Sequence, residues 1–129
     1  MTESTIRLFR SSEVERDQDD DSLMEVLPPS VSGVADIWFS RFASFRAGRI
    51  PAHYHTSNSI AYLVRGKAAF LTGRRFEARH EMAAGDYVTV PAGLHHMEET
   101  IGDETAEFIL VRDGGGGTTV YLEDAPPEA

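Results

Sequence analysis

Gly48-Arg49-Ile50-Pro51-Ala52-His53-Tyr54-His55-Thr56-Ser57-Asn58-Ser59-Ile60-Ala61-Tyr62-Leu63-Val64-Arg65-Gly66 is the stretch whose reading decides the fold. In an extended chain successive side chains alternate faces, so His53 and His55 lean into the same space. Two imidazoles on one face make half of a metal site. Tyr54, between them, faces the other way and is expected to pack between sheets or at a partner.

The other half is found in Gly85-Asp86-Tyr87-Val88-Thr89-Val90-Pro91-Ala92-Gly93-Leu94-His95-His96. A strand-like run stops at Pro91 and turns at Gly93 before the chain resumes at the paired histidines. His96 supplies the third imidazole. His95 has the opposite parity and is expected at the surface or behind the ligands. Glu98, two residues beyond His96, shares its face and brings a carboxylate, either as a further ligand or as an acid or base for catalysis. Glu99 points the other way, into solvent. His80, flanked by Arg79 and Glu81, reads as an ordinary exposed or hydrogen-bonded histidine.

Taken together, the two stretches resemble the motifs of the cupin superfamily. The first of these is a glycine, a His-x-His, a glutamate four residues on and a closing glycine; the second is a glycine, five residues, Pro-x-Gly, two residues and a third histidine. The resemblance spans roughly residues 35–123, and two jointly satisfied motifs are far more specific than either alone. There are departures. Gly48 stands one residue nearer the histidines than the usual spacing, Ser59 occupies the glutamate position beside Asn58, and Thr100 stands at a later position often held by asparagine.

The rest of the chain fits an all-β reading. With 129 residues it is long enough for one modest core. From residue 35 onward short apolar runs are broken by glycine and proline at intervals of about ten residues, the pattern of a sandwich or barrel. Strands are expected over 37–46, 60–65, 67–72, 76–81, 87–90, 95–100, 105–111 and 118–122. Glycines 66, 73, 85, 93 and 102 mark turns, and Gly114 to Gly117 read as a flexible hairpin loop rather than a phosphate cradle, since no lysine or helix follows. The resemblance independently implies a double-stranded β-helix, the jelly-roll cupin barrel.

Residues 33–123 are assigned to that barrel and 124–129 to a C-terminal tail. Residues 1–32 are expected to be an acidic, mobile arm or a loosely docked lead-in: 11–22 are almost wholly polar, with Asp19, Asp20 and Asp21 in succession. Residues 23–26 are expected to add a short edge segment, and Pro28 with Pro29 excludes a helix across them. Several strands are apolar on both parities. With Ser59, Ala61 and Leu63 inward, Ile60, Tyr62 and Val64 face outward and call for a cover, most simply a second copy in a homodimer. Arg41, Arg65 and Arg74 read as surface charges, although parity puts Arg65 on the Ser59 face.

Charge and composition exclude several classes. Twenty-one acidic against 12 basic residues give a net charge of −9, which disfavours nucleic acid and anionic membrane surfaces as partners. The chain has no cysteine, hence neither disulfides nor thiolate ligands nor a thiol nucleophile. No apolar run approaches a membrane span or a signal peptide, so a cytoplasmic location is expected.

Three neutral imidazoles without sulfur suit iron, zinc, nickel, copper or manganese, with positions left for substrate. With Ser59 in place of a carboxylate the ion keeps its full charge, which favours an anionic or enolisable small molecule. The resemblance implies one divalent ion per chain, iron(II) by preference. It further implies a dioxygenase acting on a compact diketone-like, enolisable or phenolic substrate. A non-redox isomerase or polyketide cyclase, or a non-enzymatic binding module, are the alternatives that the same fold hosts.

Overall fold

The alternating pattern becomes strands β1 Glu15–Gln18, β2 Ser22–Leu27, β3 Trp38–Ser44, β4 Gly48–His55, β5 Ser59–Arg65, β6 Lys67–Thr72, β7 Ala78–Ala83, β8 Tyr87–Val90, β9 His96–Ile101, β10 Ala106–Arg112 and β11 Thr119–Tyr121. The computed structural model describes residues 6–122. The strands build two antiparallel sheets, a six-stranded one in the order β1-β2-β3-β10-β5-β8 and a five-stranded one in the order β11-β4-β9-β6-β7. The expected jelly-roll barrel is thereby observed. Strands 67–72 and 87–90 have the expected limits, whereas β7 starts late because Phe76 is taken up in the turn after Gly73, at φ 55°.

The core lies between the sheets. Ala61 and Leu63 from β5, Phe70 from β6, Met82 from β7, Val90 from β8 and Phe108 from β10 form one buried cluster, with Phe42, Val88 and Leu110 packed against it. Burying each large side chain contributes about 1.5–3 kcal/mol. Gly66 closes the β5–β6 turn at φ 86°, where an added Cβ would come within 2.3 Å of the Thr105 carbonyl oxygen. Only glycine fits so close to a neighbouring backbone.

Parity in β5 runs as expected through Leu63, which is fully buried, and then breaks. Phe108 pairs with Leu63 but Glu107 pairs with Arg65, so a bulge at Val64 inserts one residue. Arg65 therefore turns outward, contrary to simple alternation, and its Nε donates to Glu107 at 3.0 Å. On the same outer face Arg41 donates to both Glu25 and Glu107, each at 2.9 Å, and Arg16 also pairs with Glu25. Phe39, Ile60, Val64 and Tyr87 are exposed on this side of the barrel.

The acidic stretch before the barrel contains a hairpin: β1 pairs with β2, and β2 with β3. Its turn is organised by Asp19, whose carboxylate accepts from the backbone N–H groups of Asp21 and Ser22 at 2.8 and 2.9 Å. Composition alone understates such a segment, because its charges are satisfied by turn amides and by arginines. Residues 1–5 and the 124–129 tail lie outside the described residues. A single helical turn, Pro29–Ser32, begins with Pro29 in the first position, where a missing N–H and a fixed φ are no handicap. Among the described residues no helix is long and apolar enough to cross a membrane.

Candidate metal centre

Strands β4 and β9 carry the site. They are antiparallel neighbours in which His53 pairs with His96, and Ile50 with Glu98. Two residues of β4, Pro51 and Ala52, thus stand against one of β9, Met97, a bulge placed where proline has no N–H to give to a ladder. The bulge resets the parity so that His53, His55, His96 and Glu98 all face the interior. One potential ligand atom from each lies within 4.8 Å of the others. The sequence-derived trio is therefore brought together, and Glu98 joins it from β9 in place of the carboxylate missing at Ser59.

Each histidine is held from behind. His53 Nδ1–H donates to the Pro51 carbonyl at 2.7 Å and His96 Nδ1–H to the Leu94 carbonyl at 2.9 Å. His55 Nδ1 pairs with the Thr119 hydroxyl at 2.9 Å. A carbonyl only accepts, so Nδ1 carries the proton in His53 and His96, and their Nε2 atoms present lone pairs inward unless protonated. Such outer contacts fix tautomer and ring direction in metal-binding histidines. His53 Nε2 and His96 Nε2 then stand 3.2 and 3.5 Å from the same Glu98 oxygen. Acceptors crowded against a carboxylate need a cation between them, either a proton or a metal ion. The donor set of imidazoles plus carboxylate, without thiolate, fits a first-row divalent ion.

The protonation tendencies reflect the same crowding. Burial alone would raise the Glu98 carboxyl, but bonds from His53 and His96 hold it down to about 2. Burial pushes His53 down, yet the Glu98 carboxylate outweighs it and leaves the ring above its ordinary value. His55 is pushed to about 4, first by burial and then by Arg112 and the other two imidazoles.

His55, His96 and Glu98 open onto a cavity of about 30 Å³ walled by Phe70, Val90, Phe108 and Leu110, with Ser59 and Arg112 among its polar lining. A cleft of about 380 Å³ shares Phe70, Val90 and His96 with it. Asn58 ties the surrounding loops together. Its backbone and side-chain N–H groups donate to Asp113, and its amide oxygen accepts from Ala92 N–H at 2.8 Å. Gly116 lies under Trp38, so close that a Cβ there would sit 2.5 Å from the indole, and its carbonyl accepts from the Ser57 hydroxyl. Within the glycine run Gly116 is thus packed, while Gly114 and Gly115 stand in open space.

Other sequence readings find their places. Tyr54 points away from the centre and stacks on the exposed His95, with ring centroids 5.1 Å apart. Glu99 is engaged by Arg49 and Arg79 rather than simply solvated. His80 pairs with the Thr72 hydroxyl. What sequence reasoning missed is Arg112: the inward arginine is neither Arg41, Arg65 nor Arg74. The alternation Phe108, Leu110, Arg112 carries the signal, had β10 been extended one residue beyond 111.

Two closed-up antiparallel sheets around an interior set of three histidines and a glutamate define a small β-barrel protein able to hold a metal ion. The chain belongs to the cupin domain family, whose model matches residues 45–112. Among solved structures it is similar to oxalate decarboxylase from Bacillus subtilis, with 20% identity, a TM-score of 0.79, and coverage of 95% of this chain and 34% of that one. This chain thus spans about a third of the decarboxylase. It is also similar to the polyketide cyclase RemF from Streptomyces resistomycificus, with 15% identity, a TM-score of 0.76, and coverage of 95% and 89%. No curated protein matches the sequence.

Proposed function

We propose that the chain is a mononuclear metal enzyme in which His53, His55, His96 and Glu98 hold one divalent ion, iron(II) by preference, for oxygen-dependent cleavage of a compact enolisable substrate. The observation that carries this reading is the convergence of those ligand atoms within 4.8 Å of one another. Bound iron(II) would supply the one-electron chemistry that dioxygen requires. The chain's own residues do the remainder: the outer hydrogen bonds aim the imidazoles, Glu98 offsets part of the ion's charge, and Phe70, Val90, Phe108 and Leu110 keep water scarce. Manganese, zinc, nickel and copper suit the same donors. The Bacillus subtilis decarboxylase is described with Mn(II) centres.

The test is reconstitution. Metal-free protein is loaded anaerobically with iron(II) and titrated with enolisable diketones, hydroxyketones and catechol-like acids, then exposed to oxygen. A new absorption band followed by oxygen uptake and substrate loss is expected. Binding without oxygen uptake would transfer the assignment to non-redox isomerisation or cyclisation, and a bound ion that no chelator perturbs would end the catalytic reading. Assembly as a homodimer through the face exposing Phe39, Ile60 and Tyr87 belongs to the same proposal. A monomeric mass in light scattering at micromolar concentration would remove it.

A further inference from the structure

We propose that Arg112 and Ser59 form an anion subsite beside the metal centre that takes the carboxylate of a compact 2-oxo or 2-hydroxy acid. The inference deepens the metal-enzyme reading and rests on it, because the acid's second oxygen is left to reach the ion. Three observations carry it.

The first is unspent donors. Arg112 Nε and Ser59 Oγ are both buried without a hydrogen-bond partner among the described residues. Leaving a buried donor unpaired costs about 1–3 kcal/mol, and more for a charged group. The second is register: Arg112 of β10 is the direct cross-strand partner of Ser59 of β5. Side chains at paired positions share a face and lie close together, so the two donors address one point. The third is the cavity. Both residues line the space of about 30 Å³ that also touches His55, His96 and Glu98. That volume holds roughly two water-sized atoms. It matches the two oxygens of a carboxylate better than the four of a tetrahedral phosphate.

Arg112 is also held in position without being neutralised. Its guanidinium lies 4.6 Å from the centre of the Trp38 ring, a cation–π contact that orients the group and leaves its N–H edge free. The nearest carboxylate, Glu98, is engaged by His53 and His96. Burial works against the arginine's charge, and Glu98 and Tyr121 only partly offset it. An incoming anion would do so directly. The charge-assisted bonds it would form are the stronger kind.

Trp38 is the chain's single tryptophan and sits against Arg112, so its fluorescence reports on the subsite. Zinc-loaded protein is titrated with pyruvate and, as an uncharged control, pyruvamide, in wild type, Arg112→Met and Ser59→Ala. Pyruvate should perturb Trp38 in the wild type and bind far better than pyruvamide. Arg112→Met, which keeps an apolar stem against the indole, should bind pyruvate roughly 10- to 100-fold more weakly while still taking up zinc, as chelator competition would show. Ser59→Ala should show a smaller loss of the same sign. Equal affinity for pyruvate in wild type and Arg112→Met, or no preference over pyruvamide in a zinc-loaded wild type, overturns the subsite. If instead the wild type takes up no zinc, the metal reading fails separately. Titration of that metal-free protein with acetate then decides the subsite by whether binding depends on Arg112.

Discussion

Thr119→Val removes one hydroxyl and nothing else from the metal centre. Among the three histidines, His55 is the one oriented by a side chain, the Thr119 hydroxyl at 2.9 Å, while His53 and His96 lean on the backbone carbonyls of Pro51 and Leu94. The substitution keeps the β-branched shape on β11, where Thr119 pairs with His55. In metal-free protein the loss is one neutral hydrogen bond, about 1 kcal/mol of stability. Its effect on the ion should be larger, because the ring is freed to rotate away from it. Outer-shell losses of this kind weaken metal binding about 10- to 100-fold, or roughly 1.4–2.7 kcal/mol. Competition for zinc and for manganese against a fluorescent chelator measures it, with Thr119→Ser as the variant that restores the bond. Affinity within twofold of wild type in a well-folded Thr119→Val protein would refute the argument that this contact aims His55 at the ion.

Glu98→Gln keeps the side-chain volume but cancels the charge that faces His53 and His96; metal affinity should fall by more than 100-fold, and elemental analysis showing wild-type metal content would make Glu98 a base instead of a ligand. Glu25 is a pH test of the outer face. Arg41 chiefly, with Arg16 and Ser11, holds its carboxyl at about 2 against an ordinary 4.5. Because the folded state binds the proton less readily, this stabilisation is complete above pH 4.5 and is lost as the pH falls toward 2. The shift corresponds to at most roughly 3 kcal/mol, and partial exposure of both arginines brings it nearer ~1–2 kcal/mol. Urea midpoints measured between pH 6 and 2 should fall less steeply for Glu25→Gln than for wild type, and parallel curves would show that the network adds nothing.

Much of the site was legible because metal ligands must share a face, and the spacing of His53 with His55, and of His96 with Glu98, states that face within each strand. The barrel was legible for a similar reason: glycine and proline fix where strands end. Illegible features are those in which the ladder slips. Parity put Arg65 inside, and the bulge at Val64 turned it out; a bulge at Pro51 and Ala52, equally silent, places His53 opposite His96. The hairpin formed by β1 and β2 was hidden by its composition, since an acidic run looks the same whether its carboxylates meet water or arginine. Arg112 stayed unnoticed because a charged residue at a strand's end reads as the start of solvent.

The bulge at Val64 has an electrical consequence for the interior. With regular pairing beyond Leu63 and no residue removed, Val64 would face Glu107 and Arg65 would enter the barrel opposite Ala106, leaving Glu107 one partner fewer on the outside. The lumen would then hold a cation at each end of β5 instead of one, and an anion would meet two competing attractors. The slip in the ladder, rather than the choice of lining residues, sets this polarity: two residues set against Glu107 keep the positive potential at one pole, next to the histidines. Shortening β5 by Val64 would reach the same arrangement by another route, since Arg65 would then follow Leu63 directly and still face outward opposite Glu107.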